Sequence, residues 1–237
     1  MQLLRLTGAL VPHAPLLLEE VSPGNGPVRV IRAAIAGIAV SPDAIVIVVT
    51  PHGDGSFVYA RPTGSLAGFG IDGVHVNQRM VEPEAYEGFE RWSPSVEKPL
   101  DHGALIPLRL LGLSNPVVAV SVAGDVPELA RVIEDLAGRH EVFVICSAHT
   151  SARLSERAPL PYSSDAVQLD KRFVTEVEDD CSVARTLARE LASVGGSCSE
   201  ATLALFGELF AGSPGSLRAY EAPFGVGYSV ITAECDV

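Results

Sequence analysis

Apolar residues in this chain concentrate in short segments, separated by stretches in which they recur at helical spacing. Runs over residues 3–10, 44–50, 116–122, 141–147 and 226–232 predict strands. The second of these, AIVIVVT, is rich in β-branched residues and does not alternate with polar ones, the pattern of a strand covered on both faces. Between the runs, helices are predicted over 28–39 after Pro27, over 101–113 with Asp101 as cap, and from Asp125 onward. In the last of these, Asp125 stands as N-cap, Glu128 takes the third helical position, and Leu129, Val132, Ile133 and Leu136 share one face. Three more helices are predicted over 165–178, 182–193 and 200–211. Strands alternating with helices give an α/β fold: a single domain over 1–237, with a mainly parallel or mixed sheet flanked by helices on both faces. Residues 53–99 break the pattern. They are rich in Gly and Pro, with short candidate strands at 57–60 and 73–77 and a candidate helix over 83–91, a composition suited to a lid or a substrate wall.

Composition narrows the function classes. The chain has 237 residues, 47% of them hydrophobic, and a mean hydropathy of +0.28, enough for a sizeable core. A formal net charge of −12 with no cluster of Lys and Arg argues against nucleic acid and anionic membrane as partners. Cys146, Cys181, Cys198 and Cys235 have neither CxxC spacing nor the density of a secreted scaffold, so reduced thiols in a cytosol are expected. No charged n-region precedes a long apolar stretch, and no run reaches the roughly 20 residues that span a bilayer. A soluble cytoplasmic protein is the expectation.

The candidate chemistry lies in the histidines. His13 sits in Pro12-His13-Ala14-Pro15 at the end of the first strand, and His52 in Thr50-Pro51-His52-Gly53 at the end of the second. The prolines make both turns stiff and extended. His149 follows the strand over 141–147, and His102 opens the helix after Asp101. In open α/β sheets ligands bind beyond the carboxyl ends of strands, and convergent neutral imidazoles point first to a metal. Other features carry no chemistry. Glu176, Glu178, Asp179 and Asp180 read as a solvated helix end, Gly68-Phe69-Gly70 lacks the strand and helix of a phosphate loop, and no Gly-x-Ser-x-Gly elbow is present. His75 and His140 receive no role.

The two Pro-His turns, Asp101-His102-Gly103 with Pro107-Leu108, and Ala222-Pro223-Phe224-Gly225-Val226-Gly227-Tyr228 resemble the class III extradiol ring-cleavage dioxygenases. The resemblance is to the catalytic B-subunit type and its Memo-like relatives, and residues 147–159 (SAHTSARLSERAP) add a further block. It implies a non-haem Fe(II) enzyme that opens a catechol-like ring with dioxygen, with His13 and His52 as metal ligands and His102 as acid–base residue. It also implies self-association or a small partner subunit. Two departures stand out. Ala152 occupies the place of the family's second catalytic histidine and His149 that of an aspartate, so His149 is the candidate to take over that role. The family's third ligand is a glutamate, or a cysteine in the Memo-like branch, and here the region reads Gly195-Gly196-Ser197-Cys198-Ser199-Glu200. Glu200 completes the dioxygenase set with Fe(II); Cys198 in its place favours zinc or copper and a metal-binding or redox-associated protein without ring cleavage. A degenerate, non-catalytic relative is the remaining alternative. Tyr59, Phe69, Trp92 and Tyr162 are candidate walls for an aromatic ligand.

Overall fold

The computed structural model describes residues 5–52, 55–60, 63–67, 75–77, 89, 94–95 and 98–236. In chain order its elements are β1 (Arg5–Val11), α1 (Gly26–Ala36), β2 (Ile45–Thr50), β3 (Phe57–Tyr59), β4 (Thr63–Ser65), β5 (His75–Asn77), β6 (Pro94–Ser95), α2 (His102–Leu111), β7 (Val117–Ser121), α3 (Val126–Ala137), β8 (Val142–Ser147), α4 (Ser164–Glu176), α5 (Ser182–Ser193), α6 (Glu200–Leu209), β9 (Ser216–Glu221) and β10 (Tyr228–Asp236). The helix expected over 83–91 lies, apart from Phe89, outside the described residues, as do Phe69 and Trp92.

Eight strands form one sheet in the order β6-β3-β7-β2-β8-β1-β10-β9. Its middle, β7-β2-β8-β1, is parallel, while β10 pairs antiparallel with both β1 and β9, and β3 antiparallel with β7. The sheet is therefore mixed, with a parallel centre. The apolar runs explain that centre, because β2, β7 and β8 carry side chains covered on both faces. Val46 and Val48 of β2 point to one layer, with α1 and α2; Ile47 and Val49 point to the other, with α3, α5 and α6. Each fully buried Val or Ile contributes about 1.5–3 kcal/mol, so these alternating sets dominate the stability of the domain. β9 was absent from the expected pattern. Its sequence SLRAYE is half-exposed along an edge, so it lacks the apolar run that marks the central strands. Among the described residues, no helix is long and apolar enough to cross a membrane.

Parallel strands deliver their following loops to the same end of the sheet. β1, β2 and β8 thus bring the segments after Val11, Thr50 and Ser147 side by side. The chain leaving β1 leads to α1 on one face, and the chain leaving β8 leads to α4, α5 and α6 on the other, so a crevice opens between these neighbouring strands.

A largely covered cation fixes the first of these loops. Arg32 of α1 reaches back to a 3-10 turn, Pro15–Leu17, two residues beyond His13, and donates to the carbonyls of Leu17 (2.5 Å), Leu18 (2.8 Å), Ser22 (2.7 Å) and Leu16 (3.3 Å) and to the Glu19 carboxylate. Its side chain is only 12% exposed. Charge-assisted bonds contribute more than neutral ones, and their removal leaves carbonyls without donors, so Arg32→Ala should destabilise the protein by about 2–4 kcal/mol in urea titration. Lysine, lacking the planar fork, should recover less than half of that. A loss under about 1 kcal/mol would mean that water replaces the guanidinium at the loop.

Candidate metal centre

His13 leaves β1 nearly buried, at 5% exposure, and its Nδ1 lies 3.0 Å from the Ser147 hydroxyl at the end of β8. Ser147 is held in turn: its carbonyl accepts from Thr202 Oγ1 of α6 at 3.1 Å. This contact assigns Nδ1 to the serine and turns Nε2 toward the crevice. Burial brings the His13 pKa down to about 4, so the ring is neutral and its Nε2 can be a ligand.

His52 is anchored through its carbonyl, which accepts from Ser121 Oγ at 2.9 Å. Its Nδ1 lies 3.2 Å from Asp101 Oδ2, while Asp101 Oδ1 caps α2 by accepting from the Ala104 N–H at 3.1 Å. One carboxylate thus caps a helix and orients an imidazole. Gly103 leaves room for this, since a Cβ there would stand 3.0 Å from His52 Nδ1 and 3.1 Å from Asp101 Oδ1. Burial alone would lower the His52 pKa, but the Asp101 contact and the Cys198 sulfur outweigh it and raise it to about 9. His102 stacks on His52 with ring centres 4.3 Å apart, and lies 5.6 Å from His13. Its pKa is lowered by burial and then by the neighbouring His52.

Cys198 closes the arrangement from the loop between α5 and α6. Its Sγ is 3.7 Å from His13 Nε2, 3.6 Å from His52 Nε2 and 3.7 Å from His149 Nδ1. The serines on either side of it hold His149: Ser197 Oγ donates to the His149 carbonyl at 2.6 Å, and the His149 N–H donates to Ser199 Oγ at 3.2 Å. Burial would raise the Cys198 thiol, but the contacts with His13, His149 and His52 prevail and bring it down to about 3. These contacts favour the thiolate form of the sulfur.

The ligand atoms of His13, His52 and Cys198 all lie within 4.8 Å of one another, and those of His52, Asp101 and His102 form a second such set. These groups make a cluster able to hold a metal ion. The sulfur–nitrogen separations support this, because metal–sulfur and metal–nitrogen bonds of about 2.3 and 2.0–2.1 Å at a tetrahedral angle put the two ligand atoms about 3.5 Å apart. Glu200, the ligand expected from sequence, is the first residue of α6 and is not among the side chains that converge; Cys198, two residues earlier, is.

The cluster opens into a cavity of about 350 Å³, walled by Ala14, Pro15, Ala152, Leu160, Val226 and Tyr228 among others. Ala152 contributes a methyl group to this wall, and His149 reaches the Cys198 sulfur. Tyr59 is not part of this wall, being buried against Thr50 at 3.4 Å, and Tyr162 is 49% exposed elsewhere. A larger cleft, about 600 Å³, lies between α1 and β1, β9 and β10, where Arg218, Glu234, Thr7 and Phe143 bring no set of ligating side chains together.

Local reading of the sequence missed the residues that orient these groups: Asp101 toward His52, Ser147 toward His13, and Ser197 and Ser199 around His149. Only Asp101, next to a motif histidine, carried a signal in the chain, and that signal was for a helix cap.

No family model matches the chain. It is 24% identical over 266 residues to Protein CA_C1420 of Clostridium acetobutylicum, covering 95% of this chain and 56% of that protein, so it spans about half the length of the curated relative it matches. The crystal structure of the uncharacterized protein JW3007 from Escherichia coli K12 superposes with a TM-score of 0.58 at 16% identity, over 96% of this chain and 98% of that one. At that identity the likeness establishes a shared α/β fold and says nothing about chemistry.

Proposed function

We propose that the protein is a transition-metal-binding protein of the Memo-like kind, in which His13, His52 and Cys198 hold a zinc or copper(I) ion. The observation that carries this is the Cys198 sulfur, 3.6–3.7 Å from the ring nitrogens of His13, His52 and His149, which lower its pKa and favour the thiolate. Thiolate with imidazole is a soft donor set that suits zinc or copper(I), whereas Fe(II) used for oxygen chemistry is typically held by two histidines and a carboxylate. Once bound, such an ion supplies Lewis-acid or redox chemistry beside the cavity. All four cysteines are outside disulfides, which fits a reducing compartment and supports a cytoplasmic location.

A second reading, an extradiol dioxygenase with Fe(II), is favoured by His102. Its ring stacks on His52 beside a small apolar cavity, where it can take a proton from the hydroxyl of a catechol-like substrate. His149, on the other side of the sulfur, would be the acid. Self-association, or a small subunit covering the cavity, belongs to this reading.

Metal analysis after anaerobic purification, followed by oxygen uptake with catechol, separates the two. Stoichiometric zinc or copper without catechol-dependent uptake is expected. Stoichiometric iron with uptake would establish the dioxygenase, and no metal under any loading condition would overturn both readings.

A further inference from the structure

Behind His149 lies a carboxylate that packing alone does not require. Asp170 of α4 is 1% exposed, on the helix face that carries Leu169 and Phe173 into the core. Burying a carboxylate costs several kcal/mol, and an apolar residue would fill the same space without that cost. Asp170 faces hydroxyl groups instead: Tyr220 of β9 donates to its Oδ2, and the hydroxyls of Thr150 and Ser151 lie against the carboxylate. Asp170 Oδ1 and Ser151 Oγ are both buried, and neither makes a hydrogen bond. Burial raises the Asp170 pKa, and these hydroxyls only partly offset it.

Thr150 and Ser151 are the two residues that follow His149, and they are fastened to the segment leading into β10. Thr150 donates from its N–H at 3.0 Å and from its hydroxyl at 3.1 Å to the Gly227 carbonyl, and the Gly227 N–H donates to the Ser151 carbonyl at 2.8 Å. This clasp leaves no room for a side chain at Gly227, where a Cβ would strike Thr150 Oγ1 and stand 2.8 and 3.0 Å from the Asp170 oxygens. Val226 and Tyr228, on either side of that glycine, form part of the cavity wall.

We infer that Asp170 is a positioning residue: with Tyr220 it locks the Thr150–Ser151–Gly227 clasp, and so fixes the His149 ring against Cys198 and sets the wall formed by Val226 and Tyr228. The inference deepens the metal-site reading and rests on it for its purpose. Its test does not, because it uses the metal-free 237-residue chain, so a failure to bind metal and a failure of the strut are separate results.

The test is a carbon–proton NMR correlation of histidine ring signals in wild type, Asp170→Asn and Tyr220→Phe, with His149→Ala to assign the His149 peak and thermal melting to confirm folding. In both folded variants the His149 cross-peak should move by more than its line width, with the His13 and His52 peaks moving less and that of exposed His140 not at all. A role in packing alone would move the site histidines together or leave all in place, and either pattern overturns the inference. If Asp170→Asn does not fold, Tyr220→Phe, which removes one hydroxyl from the carboxylate, decides the matter alone.

Discussion

Cys198→Ser should abolish tight binding of zinc and copper(I), while Glu200→Gln leaves it unchanged. Exchanging a residue that only orients a ligand typically costs 10–100-fold in metal affinity, so losing the sulfur itself should cost roughly a hundredfold or more. Serine keeps the size and the neighbours of the side chain. It replaces a thiolate stabilised by imidazoles with a hydroxyl that stays protonated at neutral pH, which is a poor ligand for a soft ion. Glu200 provides the contrast because, although both residues are exposed, only Cys198 converges with the histidines. Titration with zinc against a chromophoric chelator measures both variants. Equal affinities for wild type and Cys198→Ser would remove the sulfur from the site, and a loss confined to Glu200→Gln would restore the carboxylate expected from the resemblance.

The choice between these residues shows where the sequence stops being informative. Strands β1, β2, β7 and β8 were legible because each is mainly apolar, and a parallel order places the ends of such strands together. His13, His52 and His149 could therefore be read as neighbours, although 136 residues separate the first from the last. The third ligand could not be read this way. Cys198 and Glu200 are two residues apart, and which one faces the crevice depends on the turn at Gly195-Gly196, where Gly196 takes φ +73°. Spacing along the chain does not encode that geometry. Asp101 poses the same problem in another form. Its role as a cap is local and was read correctly, but its second oxygen meets a histidine 49 positions away, a contact the topology alone creates. Asp125 shows the converse, standing at the N-cap position of α3 without making the side-chain bond its residue type suggested. β9 stayed hidden because an edge strand needs only one pairing partner and little apolar surface.

Zinc binding should release about one proton per ion between about pH 6 and 8, and affinity should rise about tenfold per pH unit until it levels near pH 9. The sign follows from three groups. Cys198, brought down to about 3, is already a thiolate, and His13, brought down to about 4, is already neutral. His52, raised to about 9 by Asp101 and the thiolate despite its burial, still holds a proton on the nitrogens that must be free for a ligand. Binding must expel that proton below the raised pKa and expels nothing above it, so the gain with pH ends there. Asp101→Asn identifies the source. Without the carboxylate, the His52 pKa falls, the levelling moves to lower pH, and proton release near pH 8 drops. Calorimetry in buffers of different ionisation enthalpy counts the protons. Unchanged release near pH 8 in Asp101→Asn would place the proton on Cys198, whose thiol would then be close to its ordinary state in the metal-free protein.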